Sequence, residues 1–288
     1  YPSASVTLAM CETLKRRIKK WPPGYYNPNF VVIDEAHKNS FTKIIEAFPN
    51  AKIIGATATP KAPFLHKYYD SIVKNIDIIE LIEQGYLSPC RAFMMQDNFD
   101  DVPVKRGEYD EQKLFTHFDK QKLYSGVVEK YKEKTNGKKA LVFCVNILHS
   151  EKTNEEFNNA GIHSRVVTSK TPPDEREKIL LDFKNGAFPV LVNCGILTTG
   201  YDDDTIEVIV LNRATKSLIL FLQCCGRGAR PHPDKPYFTV LDFGNNHLEH
   251  GLWQQHREWT LEPPKKKKIG VSPIKNCPRC SAMLAAAV

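Results

Sequence analysis

Short apolar runs with no polar interruption set the strongest limit on how this chain can fold. Residues 30–33 (FVVI), 140–145 (ALVFCV) and 190–192 (VLV) are such runs. A strand with one wet face alternates apolar and polar residues. A run without alternation reads as a strand covered on both faces, the kind found in parallel sheets. Segments with helical spacing stand between the runs, and the alternation predicts an α/β architecture built on parallel sheets.

The expected order begins with a strand at 30–33, a helix over FTKIIEAF and a strand at 52–54. Residues 81–89, which bring glycine and proline together, read as a linker to a second series. That series has strands at 92–96, 140–145, 164–168, 190–193, 206–211 and 237–241. Its helices are expected at 112–134, 148–159, 172–184 and 216–225. In TPPDEREKILLDFKNG, Thr171 is the expected N-cap, with Pro172 at the first helical position and acidic residues in the first turn. Ile179, Leu180 and Phe183 share a face, and Gly186 is placed to take the left-handed conformation that ends a helix. The domain boundaries that follow are residues 1–86, 87–262 and a tail at 263–288.

A chain of 288 residues has room for two domains, and its net charge of +7 suits a phosphate-bearing partner without requiring one. The eight cysteines lack the spacing of a disulfide framework, which points to a reducing compartment, cytoplasm or nucleoid. No apolar run approaches a membrane span and no signal peptide opens the chain. No membrane partner is expected, and a monomer is favoured. EPPKKKKIGVSP reads as a flexible, solvated linker; nucleic-acid contact and a targeting role are the alternatives for its lysines.

Four segments carry residue types suited to chemistry. VVIDEAH places Asp34 and Glu35 at the end of the first strand, the edge of an open α/β sheet where ligands bind. Burying two carboxylates is costly, so the pair belongs at the strand's mouth. One such carboxylate can hold Mg²⁺ against nucleotide phosphates, and a second can orient and deprotonate water. Asp34 suits the first role and Glu35 the second. GATATP, directly after the next strand, offers the hydroxyls of Thr57 and Thr59 in a tight loop. GILTTGYDDD offers glycines for close backbone approach, Thr198 and Thr199 for a phosphate backbone, and Asp202 for a ribose or a bridging water. QCCGRGAR sets Arg227 and Arg230 three residues apart, hinged by glycine, as guanidinium placement on a transferring phosphoryl requires. Alone, three of the four have a plain structural alternative: a solvated strand end for the first, a small-residue turn for the second and a surface loop with two arginines for the last.

Together and in this order, VVIDEAH, GATATP, ILTTGYD and QCCGRGARP resemble motifs II, III, V and VI of superfamily two DEAD/DEAH-box helicases. Flanking residues look most like the RadD-type branch of DNA-repair helicases: CETLKRRIKKWPP before motif II, TKS before motif VI, VLDFGNNHLEHG after it, and a C-terminal CxxC. The resemblance covers residues 8–251 and implies two RecA-like domains, with ATP between them and nucleic acid across their top. Carried over by position, Asp34 would hold Mg²⁺ and Glu35 would be the catalytic base. His37, Thr57 and Thr59 would couple the ATP site to nucleic acid. Gly200 and Asp202 would answer the nucleotide, while Gln223, Arg227 and Arg230 would meet the γ-phosphate. LVFCVNILHS resembles motif IV, and Thr168 falls where this class contacts the strand backbone. The implied activity is ATP-dependent translocation on, or separation of, nucleic-acid strands. The repair branch implies DNA, with RNA left open. An ATP-gated binding or remodelling module and a restriction-system motor subunit share these motifs.

The sequence departs from the family in one respect: no G-x-x-x-x-G-K-[ST] occurs in it. That loop cradles the β-phosphate and supplies a lysine. The chain therefore reads as a fragment, its first domain truncated at the N-terminus, and is expected to be inactive by itself. CPRC, with Cys277 and Cys280, has the spacing of half a tetrahedral zinc site. A partial zinc-ribbon-like tail is the expectation, with an incidental pair and a redox motif as alternatives.

Overall fold

The computed structural model describes residues 5–22, 24–74, 76–95, 97–120, 123–261 and 273–286. The lysine-rich linker, residues 262–272, lies outside them. The chain divides into two compact units, residues 1–75 with 257–269 and residues 76–256 with 270–288.

In the first unit, α1 (Cys11–Ile18) precedes β1 (Phe30–Asp34), and α2 (Thr42–Ala47) precedes β2 (Lys52–Ala56). The strands pair in parallel, with Val32 beside Ile54 and Asp34 beside Ala56. Ile33, Ala36, Ile44, Phe48 and Leu65 are its buried apolar residues. The expectation of two covered faces fails for β1. Side chains alternate along a strand, and only Ile33 is buried, while Phe30 and Val32 on the opposite face are 58% and 69% exposed. Among the described residues no layer covers that second face of the two-stranded sheet.

The second unit opens with α3 (Ile78–Glu83), so the segment expected as a linker is partly helical. A capping box starts this helix: the Asp77 side chain accepts from the N3 amide, and Asp77 N–H donates to the Glu80 carboxylate at 2.7 Å. There follow β3 (Cys90–Met94), the hairpin β4 (Val104–Lys105) and β5 (Glu108–Tyr109), then α4 (Glu111–Lys120) and α5 (Leu123–Thr135). The helix expected over 112–134 is thus two helices. Next come β6 (Ala140–Cys144), α6 (Ile147–Asn159), β7 (Ser164–Val167), α7 (Pro173–Lys184) and β8 (Val190–Asn193). The series continues with β9 (Val208–Asn212), α8 (Leu218–Gly226), β10 (Phe238–Asp242) and α9 (Asn246–His250). A hairpin of β11 (Ile274–Asn276) and β12 (Met283–Ala285) closes it, with β12 against β3.

Six strands form one sheet in the order β3-β10-β9-β6-β8-β7, and every neighbouring pair is parallel. Here the uninterrupted runs behave as expected. Every residue of β6, β8, β9 and β10 is buried. Phe118, Val127, Tyr131 and Phe157 pack on one face against Val142, Val192 and Val210. Each such side chain contributes about 1.5–3 kcal/mol on burial.

α7 starts one residue later than expected. Pro172 is its extended N-cap and Pro173 its first residue, because the Thr171 hydroxyl is engaged elsewhere, accepting Thr168 N–H at 3.0 Å. Gly186, past the C-cap Asn185, has the expected positive φ of 77°. Among the described residues no helix is long and apolar enough to cross a membrane.

β6 lies in the middle of the sheet, with β8 and β7 on one side and β9, β10 and β3 on the other. The path from β8 to β9 must therefore return from the C-terminal to the N-terminal edge of the sheet. It does so without a helix, through residues 194–207.

Candidate functional site

In the first unit, Asp34 is the last residue of β1 and Glu35 the first beyond it. Glu35 has φ +53°, a left-handed conformation that costs a non-glycine residue about 1–2 kcal/mol. Local hydrogen bonds hold it there. Glu35 N–H donates to Asp34 Oδ1 at 2.9 Å, Ala36 N–H to Ala56 O at 3.0 Å and Lys38 N–H to Glu35 O at 3.0 Å. The sharp turn leaves the Asp34 side chain in solvent and brings His37 beneath the loop.

His37 is buried. Its Nδ1 lies 2.8 Å from Thr57 Oγ1, 3.3 Å from Glu35 Oε2 and 3.5 Å from Thr59 Oγ1. Thr59 N–H donates to Thr57 Oγ1 at 3.0 Å. Burial lowers the His37 pKa, outweighing the opposing effect of Glu35, so the ring is neutral at pH 7. Its Nδ1 thus faces the Thr57 hydroxyl and the Glu35 carboxylate together. The structure thus brings together Glu35, His37, Thr57 and Thr59, joining the carboxylate loop to the loop after β2.

In the second unit, the segment after β8 straddles the sheet. Gly195, Thr198, Thr199 and Gly200 follow the C-terminal end of β8, with Gly195 and Gly200 at positive φ. Asp202 and Asp203 lie at the other end of the crossing. Asp203 is buried and pairs with Lys139 Nζ at 2.9 Å, just before β6 begins. It also accepts from Thr205 N–H at 3.0 Å, Thr205 Oγ1 at 2.6 Å and Tyr201 Oη at 3.2 Å. These bonds pin the crossing segment to the N-terminal edge.

The arginine loop meets it there. Ser217 caps α8 by accepting Leu220 N–H at 3.2 Å, and the helix carries Gln223, half-buried, toward that edge. Arg227, the C-cap, donates through Nη1 to Tyr201 O. Arg230 Nε lies 3.1 Å from Asp202 Oδ1, and both side chains are largely exposed. Arg230 O accepts from Ser88 Oγ at 3.2 Å, and Ala229 O from Ser88 N–H at 2.8 Å, immediately before β3. A Cβ on Gly228 would lie 2.5 Å from Phe238 Cδ2, so glycine lets this loop press onto β10. Asp202, Arg227 and Arg230 lie together. Lys139, Asp203 and the Tyr201 carbonyl, which hold them, were not singled out. The run of three aspartates at 202–204 gave the only hint.

Thr168, at the end of β7, is buried, and its Oγ1 accepts Lys170 N–H at 3.2 Å. Thr198 and Thr199 are half-buried. Cys277 and Cys280 lie in the turn joining β11 to β12, where Ser281 N–H donates to Cys277 O at 2.8 Å. Among the described residues no three His, Cys, Asp or Glu side chains converge to hold a metal, so nothing beyond the pair itself supports zinc.

A parallel α/β sheet, carboxylates at a strand end and an arginine-bearing helix define a RecA-like class. The fragment structure of a "putative HsdR subunit of a type I restriction enzyme" from Vibrio vulnificus YJ016 shares this fold at TM-score 0.67 and 24% identity, over 81% of this chain and 46% of that one. Residues 120–232 match the helicase conserved C-terminal domain, and residues 2–62 match the type III restriction enzyme, res subunit. A "51.5 kDa protein" of a Lactococcus phage is 32% identical over 89% of this chain and 59% of its own length. The "Putative ATP-dependent helicase IRC3" of Saccharomyces cerevisiae is 31% identical over 83% of this chain and 37% of its own length. The chain therefore spans little more than half the length of one relative and about a third of the other. It belongs to the DEAD/DEAH-box helicase superfamily.

Proposed function

We propose that this chain is the motor portion of an ATP-dependent DNA translocase or helicase acting in repair or recombination. The observation that carries the reading is the Glu35–His37–Thr57–Thr59 web, because it wires a strand-end carboxylate to a second loop through a buried neutral histidine. A scaffold that only binds has no use for such a carboxylate.

The exposed Asp34 oxygens are the hard donors that Mg²⁺ prefers. Mg²⁺–ATP, when bound, would supply the γ-phosphoryl group to an attacking water, the bond to the ADP oxygen breaking as the bond to water forms. Glu35 takes the proton from that water, and the web through His37 passes a change at Glu35 to Thr57 and Thr59. On the second unit, Arg227 and Arg230 stabilise developing phosphoryl charge, with Gln223 beside them and Gly200 and Asp202 answering the nucleotide. Arg230 reaches a phosphate only by leaving Asp202, a solvent-exposed pair worth about 0–1 kcal/mol and easily exchanged. Thr168, Thr198 and Thr199 serve the strand backbone. The choice of DNA rests on the flanking resemblance to the repair branch. The cysteine spacing, which lacks the pattern of a disulfide framework, is the ground for a reducing intracellular location.

The test is oligonucleotide-stimulated phosphate release by the full-length protein and its Glu35→Gln variant. The variant is expected to lose about 10²-fold or more in turnover while still binding nucleotide. The 288-residue chain alone, without a G-x-x-x-x-G-K-[ST] loop, is expected to release none. Wild-type turnover in Glu35→Gln would refute the assignment of the base. A restriction-system motor is the second reading, favoured by the res-subunit match over residues 2–62. ATP-dependent cleavage rather than strand displacement by the full-length protein would select it.

A further inference from the structure

Arg213 directly follows β9, whose last residue, Asn212, lies in register with Cys144 at the end of β6. The chain leaves β6 toward β7 and leaves β9 toward β10, in opposite directions along the sheet. Such a divergence opens a crevice at the C-terminal edge.

The loop that presents Arg213 is clamped from two sides. Asn246 Nδ2 donates to Arg213 O at 2.8 Å, Thr215 N–H to Asn246 Oδ1 at 2.9 Å and His250 Nε2 to Thr215 O at 2.9 Å. Lys216 N–H donates to Glu108 Oε1 at 2.8 Å. A Cβ on Gly244 would fall 2.0 Å from Arg213 O, so the backbones are in direct contact. Lys216 spends its charge on Glu249 at 2.7 Å.

Arg213 differs. Among the described residues its guanidinium makes no ion pair or hydrogen bond, and its Nε is buried without a partner. Its charge is felt at Cys144, Cys194 and His149, all of which burial keeps neutral. The carboxylates sensed at the same place are Glu111 and Asp119, and Asp119 is already paired with Lys152 at 2.6 Å. A half-buried cation held rigidly without a counter-charge is unfavourable unless an anion completes it.

We propose that Arg213 seats a phosphate of the nucleic-acid backbone, in line with Thr168 after β7 and the Thr198–Thr199 loop after β8. This rests on the motor reading above. The anion belongs to nucleic acid rather than to ATP because Arg227 and Arg230 are bound to the opposite edge of the same sheet through Tyr201, Asp202 and Ser88. The ends of β9, β6, β8 and β7 span three strand spacings, roughly 14 Å, a fit for an extended backbone of a few nucleotides.

The test is fluorescence anisotropy of a labelled oligonucleotide with the full-length protein across a salt series, for wild type, Arg213→Gln and Arg213→Lys. Arg213→Gln is expected to weaken binding about tenfold and to reduce the salt slope by about 1, while Arg213→Lys keeps the slope. Binding of a fluorescent ATP analogue is expected to be unchanged in both. Equal affinity and slope in Arg213→Gln, or a loss of nucleotide binding in its place, would overturn the assignment. A variant of reduced stability still decides, because the slope counts released ions and is read below the melting temperature. If wild type binds no oligonucleotide, the motor reading falls as well; if wild type binds and Arg213→Gln matches it, only this inference falls.

Discussion

His149 offers a titration whose size follows from its surroundings. It lies in the first turn of α6, buried, with the Phe118 ring centroid 5.1 Å from its own. Val145 N–H donates to Nδ1 at 3.3 Å, and the Asn212 amide lies 3.1 Å from Nε2. Burial lowers its pKa to about 3, with Arg213 and Lys152 acting in the same direction and Asp119 against it. The unfolded chain has a histidine pKa of about 6.5, so between these values the unfolded state binds more protons. Stability is therefore full above about pH 6.5 and is lost as the pH falls toward the folded value. From pH 7 to pH 5 the titration spans about 1.5 units, or about 2 kcal/mol. Glutamine at position 149 keeps an acceptor for Val145 N–H and removes the titration. In urea unfolding, His149→Gln is expected to be less stable than wild type at pH 7, with that gap shrinking by about 2 kcal/mol at pH 5. His37, whose pKa burial also lowers, titrates alike in both proteins and cancels from the difference. Parallel stability curves for wild type and His149→Gln over this range would show that the histidine ionises freely in the fold, and the argument would fail.

Gly244→Ala is expected to destabilise the protein by about 3 kcal/mol or prevent folding, because the added carbon meets the Arg213 and Ala214 backbone rather than a movable side chain. Differential scanning fluorimetry checks it, and a wild-type melting temperature would refute the contact. Asp203→Asn breaks a buried pair with Lys139 and is expected to cost about 3 kcal/mol by urea unfolding. It should also lower nucleic-acid-stimulated turnover, since the same segment holds Tyr201 and Asp202 against the arginines.

The parallel sheet of the second unit was legible because a strand covered on both faces has no need for polar alternation, and the apolar runs of β6 and β8 carry none. β1 carries the same signature and departs from it. An apolar run records the preference of its side chains, whereas the number of layers that cover them is a property of the assembled sheet. The cap of α7 failed for a related reason: the Thr171 hydroxyl had two possible partners, and loop geometry gave it to Thr168.

The candidate site divides along the same line. Glu35, His37, Thr57 and Thr59 come into contact near where the sequence pattern sets them, because they sit in short loops after strands that pair side by side. Gln223, Arg227, Arg230 and Asp202 were visible as types, yet their position was not. The crossing from β8 to β9 makes one motif serve both edges of the sheet, with its threonines at the C-terminal end and its aspartates at the other. Lys139, Asp203 and Arg213 drew no notice because a charge in sequence has no partner until folding supplies or withholds one.

Sequence alone determined the class of fold and the chemical character of the strand-end residues, since both depend on local pattern and residue type. Tertiary structure decided which face of β1 is dry, which aspartate is structural, and that Arg213 is half-buried without a counter-charge among the described residues. Those are questions of distance and burial between segments far apart in the chain, and Coulomb and packing energies act on separation in space.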